Sequence, residues 1–291
     1  MDVLITGGAG QVGIELQRQA WPEGIRLHAP SRAELDLADP ASIERMLAAR
    51  PWAAVISAGA YTAVDKAESE VRDAWLVNAV APAILAKAAK DAGIPIVHVS
   101  TDYVFDGSKN GLYLETDPVA PLGAYGASKE GGEQAVRTGN PRHAIVRTAW
   151  VVSPHRSNFV KTMLRFGAER DEMRVVGDQR GCPTFAGDLA AALQTIILRM
   201  LRDTAAPTGT YHFVNAGEAS WAEFAKAIFA ASARHGGREP KVTTITTAEY
   251  PTPARRPANS RLSTARITAD YGVTPRPWPE ALEETIRALQ S

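Results

Sequence analysis

The chain has 291 residues, of which 45% are hydrophobic, and its 32 Lys and Arg residues balance its 32 Asp and Glu residues. This length and apolar content are enough to bury a full core, as one large domain or two associated ones. The zero net charge and the single cysteine exclude a polyanion-binding stripe, a disulfide framework and a cysteine-based zinc site.

The first half of the chain alternates short apolar runs with helical patterns, which indicates a parallel sheet with crossover helices. The predicted strands are residues 3–5, 25–29, 53–57, 95–100 and 144–148. The predicted helices are residues 13–20, 40–49, 69–92 and one that carries Tyr125. We expect Pro82 to be accommodated at a kink or break in the third of these helices.

The second half is less regular. Helices are predicted at residues 158–170, 187–201, 221–233 and from about Trp278, and strands at residues 174–176 and 210–214. The expected fold is α/β, a Rossmann-type doubly wound parallel sheet with a small interwoven substrate-binding lobe. Residues 1–150 form the expected NADP-binding domain, and residues 151–291 are a mixed segment that completes the sheet and forms the lobe.

No apolar run approaches the ~18 residues that a membrane-spanning helix requires. The N-terminal apolar run stops at glycines after a few residues, so it predicts a first strand and not a signal peptide. The lone cysteine fits a reducing, cytoplasmic setting. We therefore expect neither a membrane nor nucleic acid as a partner, and the sequence leaves monomer and homodimer both open.

Three glycines, Gly7, Gly10 and Gly13, are spaced as G-x-x-G-x-x-G between the first predicted strand and the first predicted helix. A dinucleotide-binding fingerprint requires this context, because the glycines let the backbone approach a diphosphate at the helix N-terminus. The alternative is a tight corner in which glycine serves packing alone. Directly after strand one, the spacing favours dinucleotide binding.

The end of the second strand is expected to meet the adenosine ribose of such a ligand. A carboxylate at this point favours an unmodified ribose, whereas an arginine accommodates a 2′-phosphate. The chain places Ser31 and Arg32 here, with no acid before Glu34. This favours NADP, with NADH as the second choice and a solvated loop arginine as the alternative interpretation.

Tyr125 and Lys129 lie four residues apart, so on a helix they share one face. A free phenol titrates near pH ~10, and a nearby ammonium is expected to lower that pKa towards neutrality. Thr101 ends the fourth predicted strand, where ligands of such sheets bind, and its hydroxyl can reach a carbonyl oxygen that Tyr125 also approaches. The three residues together suggest general acid catalysis.

These elements, in this order, resemble the extended short-chain dehydrogenase/reductase superfamily. Within it, longer stretches over nearly the whole chain are similar to the dTDP-4-dehydrorhamnose reductase family. They are Gly7-Gly-Ala-Gly-Gln-Val-Gly13, Ala60-Tyr-Thr-Ala-Val-Asp-Lys-Ala-Glu68, Ser100-Thr-Asp-Tyr-Val-Phe-Asp-Gly107, Asn158-Phe-Val-Lys-Thr-Met163 and Arg256-Pro-Ala-Asn-Ser-Arg-Leu262. The glycine loop and Tyr-x-x-x-Lys are superfamily-wide, whereas the second and third stretches are more specific.

The resemblance implies roles for individual residues. Tyr125 is the implied proton donor, Lys129 its tuner and a ligand of the nicotinamide ribose, and Thr101 the residue that adjusts the Tyr125 proton. The implied sugar-nucleotide contacts are Thr101, Asp102, Tyr125 and Trp150, although an aromatic at the position of Trp150 can equally be a core residue. The other implied cofactor contacts are Gly10, Gln11, Val12, Asp36, Leu37, Ala58, Gly59 and Ala60.

Some positions depart from the family pattern. Cys182 replaces a small hydroxyl residue, and we interpret it as an inert, buried side chain. Gly131 and Gly132 follow Lys129 where one glycine is usual, and glycine costs a helix ~1 kcal/mol relative to alanine. Some relatives form magnesium-linked dimers through glutamates, one equivalent to Glu15. Because the partner positions are not matched, magnesium is left unassigned.

The resemblance implies reduction of the C4 ketone of dTDP-4-dehydrorhamnose (dTDP-4-dehydro-6-deoxy-L-mannose) to dTDP-L-rhamnose by NADPH, the last step of dTDP-L-rhamnose synthesis. Two alternatives stay open. A sugar-nucleotide epimerase or dehydratase shares the fold, and Asp102 occupies the position where dehydratases carry a carboxylic acid. A non-catalytic regulatory subunit of methionine adenosyltransferase shares many of the motifs.

Overall fold

A computed structural model describes residues 1–290, and its largest element is a six-stranded sheet. The strands are β1 (Asp2–Thr6), β2 (Arg26–His28), β3 (Ala54–Ser57), β4 (Ile96–Thr101), β5 (His143–Thr148), β6 (Val151–Val152), β7 (Glu172–Val176), β8 (Arg180–Gly181), β9 (Thr184–Phe185), β10 (Gly209–His212), β11 (Ala219–Ser220), β12 (Lys241–Ile245) and β13 (Asn259–Ser260).

The helices flank this sheet and build a second, smaller core. They are α1 (Gln11–Arg18), α2 (Pro40–Ala48), α3 (Val64–Ala67), α4 (Val71–Trp75), α5 (Ala81–Asp91), α6 (Ala124–Gly139), α7 (Phe159–Glu169), α8 (Ala186–Arg202), α9 (Trp221–Ala233), α10 (Ala265–Tyr271) and α11 (Trp278–Gln290). Within residues 1–290, none of the helices combines the length and apolar character needed to cross a bilayer.

The large sheet has the order β10-β5-β4-β3-β1-β2, and all of its strands run parallel. Strand β2 therefore lies on one side of β1, and β3, β4, β5 and β10 follow one another on the other side. Ligands of doubly wound sheets bind where the strand order reverses, outside the carboxyl ends of the strands. The predicted α/β fold is confirmed, and its switch point lies between β1 and β3.

Both faces of the sheet are covered, which explains why its strands are apolar without alternation. Val3 and Ile5 pack towards α1 and α8 in one core, whereas Leu4 packs towards α2 and α5 in the other. All three side chains are fully buried. The sheet is therefore held between two helical layers that fix the carboxyl ends of its strands.

The smaller core lies among α7, α9 and α11 and the parallel pair β7–β12. Helix α9 contributes three large side chains to this core, Phe224, Ile228 and Phe229, and each is at most 1% exposed. Ser220 caps α9 by accepting from the backbone of Glu223, whose carboxylate accepts from the backbone of Ser220 in return. A three-stranded sheet of order β11-β8-β13 lies beside it.

The helix predicted over residues 69–92 is interrupted as expected, but the break is a π-helical turn at Leu76–Val80, before the proline. Pro82 lies in the first turn of α5, where a missing N–H costs little. Sequence patterns gave no sign of β12, α3, α10 or the two-residue strands. The two-residue strands and α3 carry too few residues for a periodic signal.

Gly131 and Gly132 let α6 lie close to the π turn. A Cβ atom at Gly132 would lie 2.1 Å from the carbonyl oxygen of Asn78, and one at Gly131 would lie 2.7 Å from the Trp75 ring. Such approaches are closer than any side chain tolerates, so the low helix propensity of glycine is offset by packing that only glycine permits.

We predict that Gly132→Ala lowers the free energy of unfolding by about 1–3 kcal/mol, because the added methyl group must displace backbone in a fully packed contact. The measurement is the urea unfolding midpoint. Gln134→Ala, at an exposed position of the same helix, is the control and should change stability by less than about 0.5 kcal/mol. A Gly132→Ala midpoint equal to that of the parent would contradict this packing role.

Candidate active site

Two adjoining cavities lie at the carboxyl edge of the large sheet, with volumes of about 570 Å³ and about 490 Å³. Both are within the size range of small-molecule sites. We call the larger one the catalytic cavity and the smaller one the adenosine cavity. They share the lining residues Gly7, Ala9, Gly10, Gly59 and Ala60, so together they form one long cleft across the switch point.

The glycine loop lines both cavities at the point where they meet. Gly7 has φ 70°, and a Cβ atom on it would lie 2.5 Å from the Cα of Gly59. A Cβ atom on Gly13 would lie 2.2 Å from the carbonyl oxygen of Gly7. The glycines thus serve packing, and they also leave the N-terminus of α1 without a side-chain cap at Gly10. Free N–H groups at such a terminus suit an anion such as a diphosphate.

The adenosine cavity receives three of the predicted cofactor residues: Arg32, Asp36 and Leu37. Among the described residues that line it, Arg32 is the only Lys or Arg, and its side chain is 84% exposed, with Nε 3.7 Å from the Asp36 carboxylate. Ser31 does not line the cavity. Its backbone N–H and its hydroxyl both donate to the Glu34 carboxylate, each at 2.8 Å.

The catalytic cavity brings together predicted residues from the loop after β1 and the start of α1, the loop after β3, the end of β4, the loop after β5, and α6. They are Gln11, Val12, Gly13, Ala58, Thr101, Asp102, Tyr125, Lys129 and Trp150, with Gly7, Gly10, Gly59 and Ala60 shared with the neighbouring cavity. The parallel sheet explains this convergence, since most of these residues follow or end a strand at the same edge, and α6 brings Tyr125 and Lys129 to that edge.

Thr101 and Asp102 form a buried polar pair at the end of β4. The Thr101 hydroxyl donates to Asp102 Oδ1 at 3.1 Å and accepts from the backbone N–H of Tyr103 at 3.2 Å. Burial raises the pKa of Asp102 to about 6, while hydrogen bonds from neighbouring groups oppose this rise. Its Oδ2 atom is buried from solvent, and a hydrogen bond from the Ser260 side chain is the largest effect that opposes the rise in pKa.

Tyr125 is the second residue of α6. Its ring packs edge-on against that of Tyr103, with the ring centroids 5.4 Å apart. Burial raises the pKa of Tyr125 to about 12; the Thr101 hydroxyl lowers it, and the charge of Asp102 raises it further. The phenol is therefore protonated at neutral pH. The shift is opposite to the lowered pKa predicted from the sequence, because desolvation of the phenolate outweighs the other effects.

Lys129 is 2% exposed, and its Nζ donates to the carbonyl oxygen of Val99 at 2.7 Å. Burial lowers the pKa of Lys129 to about 8, while the negative charge of Glu133 opposes this shift. The ammonium is thus retained at neutral pH, but only narrowly. Its bond to β4 fixes the side chain against the sheet rather than in solvent.

A buried asparagine holds the start of α6 in place. Asn78, in the π turn, accepts from the backbone N–H of Tyr61 at 2.8 Å and donates to the Ser128 hydroxyl at 3.0 Å. The Ser128 hydroxyl in turn donates to the carbonyl oxygen of Tyr125 at 2.8 Å. The loop after β3, the π turn and the first turn of α6 are therefore joined by one hydrogen-bonded chain.

One turn further along α6, Glu133 and Arg147 form an ion pair that is almost completely inaccessible to solvent. Arg147 Nε and one terminal nitrogen donate to the two carboxylate oxygens of Glu133, both at 2.7 Å. The guanidinium also lies 5.0 Å from the centroid of the Phe105 ring. Removing one partner of such a pair leaves a buried charge, so the pair ties α6 to β5 strongly.

The sequence left Trp150 open as a sugar-nucleotide contact or a core residue. The residue lines the catalytic cavity, yet its ring also stacks on Trp221, with centroids 3.5 Å apart and planes at 12°. Its φ of 51° is unusual for a bulky residue. A Cβ atom on Gly181 would lie 2.5 Å from the ring, so the indole lies directly against that backbone.

Several cavity residues were assigned no role from the sequence. Ser100 and Thr148 lie at the carboxyl ends of β4 and β5, and each has a buried hydroxyl without a partner among the described residues. Their position at strand ends was a usable signal. Arg156 also lines the catalytic cavity, but a single arginine in an irregular segment has no sequence signal.

The predicted burial of Cys182 is confirmed: the residue is 4% exposed, and burial raises the pKa of its thiol to about 11. It is therefore a poor nucleophile. Within residues 1–290, no three His, Cys, Asp or Glu side chains are grouped so that they could hold a metal ion. Glu15 instead pairs with His155, with Nε2 and Oε1 2.9 Å apart.

Comparison with known proteins gives one consistent family. A family model described as the RmlD substrate binding domain matches residues 1–291. The dTDP-4-dehydrorhamnose reductase of Sinorhizobium fredii is 44% identical over 290 residues, which are 99% of this chain and 98% of that protein. The enzyme of the same name from Burkholderia thailandensis is 42% identical over the full length of both chains.

A solved structure described as dTDP-4-dehydrorhamnose reductase (rfbD) from Bacillus anthracis in complex with NADP is 35% identical, with a TM-score of 0.89 over 99% of each chain. The similarity therefore extends over both cavities and the smaller core, and is not confined to the glycine loop.

We predict that Lys129 titrates near pH 8. Below that pH the buried ammonium destabilises the fold, and this destabilisation disappears as the pH rises from about 8 towards the ordinary lysine value of 10.5. The measurement is an NMR titration of ¹³Cε-labelled lysines, with the Lys129 signal assigned by its absence in Lys129→Met. A midpoint at 10 or above would show that burial does not control this group.

Proposed function

Because the chain belongs to the RmlD substrate binding domain family, we propose that it reduces dTDP-4-dehydrorhamnose to dTDP-L-rhamnose with NADPH. This would be the last step of dTDP-L-rhamnose synthesis. The observation that carries the proposal is the convergence of Thr101, Tyr125 and Lys129 in one cavity beside the glycine loop. In this proposal residues 1–150 bind the cofactor, and residues 151–291 complete the sheet and form the sugar-nucleotide lobe.

The cleft fits an extended dinucleotide. The uncapped N-terminus of α1 suits its diphosphate, and the adenosine cavity offers Arg32 and Leu37 to its adenosine half. The buried, unpartnered hydroxyls of Ser100 and Thr148 at the other end suit polar groups of a ligand. Bound there, NADPH would supply the hydride, while the residues of this chain bind, orient and provide the proton.

Tyr125 is suited to donate that proton. With a pKa of about 12, its Oη atom carries the proton throughout the neutral range. The Thr101 hydroxyl, which acts on the same phenol, can orient the proton towards a carbonyl oxygen. The Lys129 ammonium, which burial keeps from water, would favour the phenolate that remains after transfer.

Asp102 and Trp150 are the proposed sugar-nucleotide contacts. Asp102 lines the catalytic cavity, and its carboxyl group could accept a hydrogen bond from a sugar hydroxyl. Trp150 lines the catalytic cavity, and contacts with Trp221 and Gly181 hold its indole in place. A rigid apolar face combined with a single buried acceptor would fix the ring of a hexulose relative to Tyr125.

A dehydratase is the second candidate, and one observation favours it. Burial raises the pKa of Asp102 to about 6, which is the property of a general acid beside the substrate. The two reactions differ in stoichiometry. A reductase consumes one NADPH per keto sugar, whereas a dehydratase forms its keto product without net use of the cofactor. An assay with the dTDP-keto sugar and NADPH detects the reductase, and an assay with a dTDP-hexose and oxidised cofactor detects the dehydratase. A non-catalytic subunit would show neither reaction.

Tyr125→Phe is predicted to lower turnover by about 10²-fold or more, the usual contribution of general acid catalysis. The affinity for NADPH should change little, since only one hydroxyl is removed. Initial rates with the dTDP-keto sugar at saturating NADPH provide the measurement. Turnover within threefold of the parent would remove Tyr125 from the proposed mechanism.

Arg32→Ala is predicted to weaken NADPH binding by about 10- to 100-fold, the value of a charge-assisted contact, and to leave NADH binding nearly unchanged. The parent should prefer NADPH. Ser31→Ala is the matched control, because the Ser31 hydroxyl is directed to Glu34 and does not line the cavity. Equal kinetics of the parent with both cofactors would refute the assignment.

A further inference from the structure

Residues 153–158, the segment between β6 and α7, lie across the glycine loop and the start of α1. Gln11 Oε1 accepts from the Ser153 hydroxyl at 2.8 Å and from Asn158 Nδ2 at 2.9 Å. His155 Nε2 lies 2.9 Å from Glu15 Oε1 of α1. The segment is therefore fixed to the glycine-loop side of the cleft, although it lies more than a hundred residues away in the chain.

Arg156, in the middle of this segment, has a backbone conformation that residues other than glycine rarely adopt. Its φ is 56°, and Trp150 is the only other non-glycine residue with a positive φ in the part of the chain described. Such a conformation is costly for any residue with a Cβ atom and persists only where the surroundings impose it. Glycine would adopt it without that cost, so an arginine here suggests that its side chain has a use.

The guanidinium is held beside the glycine loop. Arg156 Nε donates to the carbonyl oxygen of Ala9 at 2.6 Å, and the residue is exposed and lines the catalytic cavity. Within residues 1–290 no carboxylate forms an ion pair with it, so both terminal nitrogens are free to donate. Lys129 is the only other Lys or Arg among the described residues lining this cavity, and it is bonded to Val99 at the Tyr125 end.

We propose that Arg156 binds the diphosphate of the dinucleotide, from the side opposite to the N-terminus of α1. The inference rests on the proposed function, because it requires a dinucleotide in the cleft. A guanidinium fixed through Nε presents two parallel N–H groups, the arrangement that matches two phosphate oxygens. The diphosphate then lies between a helix N-terminus and a cation, and the strained segment supplies the cation.

A sugar nucleotide also carries a diphosphate, which is the second source of the same chemistry. The hydrogen bond from Arg156 to Ala9 favours the diphosphate of the dinucleotide as the ligand, because Ala9 belongs to the glycine loop and also lines the adenosine cavity. Sugar-nucleotide binding is assigned instead to the side of the cavity that carries Asp102 and Trp150.

The test is Arg156→Gly, which removes the charge and suits the backbone conformation. Calorimetric titration should show about 10- to 100-fold weaker binding of NADPH, NADH and ADP-ribose alike, since all three contain the diphosphate. Binding of thymidine diphosphate should be unchanged. The thermal unfolding midpoint without nucleotide should equal or exceed that of the parent, because the strain at this position is relieved.

Three comparison variants sharpen the outcome. Lys90→Ala removes an exposed charge from the end of α5 and should leave all four affinities unchanged. Arg156→Lys keeps the charge without the planar fork and should be intermediate. Arg32→Ala should weaken NADPH alone, in contrast to the uniform loss expected at Arg156.

Unchanged affinities in Arg156→Gly, in a parent that binds NADPH, would overturn this inference and leave the proposed function intact. Weaker binding of thymidine diphosphate alone would overturn it as well, by assigning the cation to the sugar nucleotide. A parent that binds neither NADPH nor NADH would overturn both proposals.

Discussion

The close contact between α6 and the π turn sets the position of the candidate catalytic helix. At Gly132 the helix comes so near the carbonyl oxygen of Asn78 that no Cβ atom fits between them. The same turn directs the Asn78 side chain inward, where it bonds the loop after β3 and the Ser128 hydroxyl. Tyr125 and Lys129 are therefore located by backbone packing and buried hydrogen bonds, which leave little freedom for the helix to shift.

Desolvation controls the chemistry of the groups that this contact positions. It raises the pKa of Tyr125 to about 12 and that of Asp102 to about 6, and it lowers the pKa of Lys129 to about 8. All three shifts favour the neutral form, as burial does. The phenol consequently carries its proton firmly, while the lysine keeps its charge only with support from Glu133. A site arranged in this way is suited to donating a proton to a ligand that becomes negative during the reaction.

Backbone strain is located beside the same cleft. The two non-glycine residues with positive φ in the described chain, Trp150 and Arg156, both follow β5 and both line the catalytic cavity. Strained residues of this kind persist when surrounding contacts over-determine them. Here the contacts are visible: the Trp221 and Gly181 surfaces hold Trp150, and Gln11 and Ala9 fix the segment that carries Arg156.

The sequence alone determined the doubly wound sheet, the glycine loop after β1 and the placement of Tyr125 and Lys129 four residues apart on one helix, because apolar periodicity and i, i+4 spacing are local properties. Only the tertiary structure showed that Glu34 engages Ser31, that Arg156 lies over the loop, and that the pKa of Tyr125 rises. Each of these depends on what surrounds a side chain in space. Desolvation and close packing come from distant segments, and local patterns do not encode them.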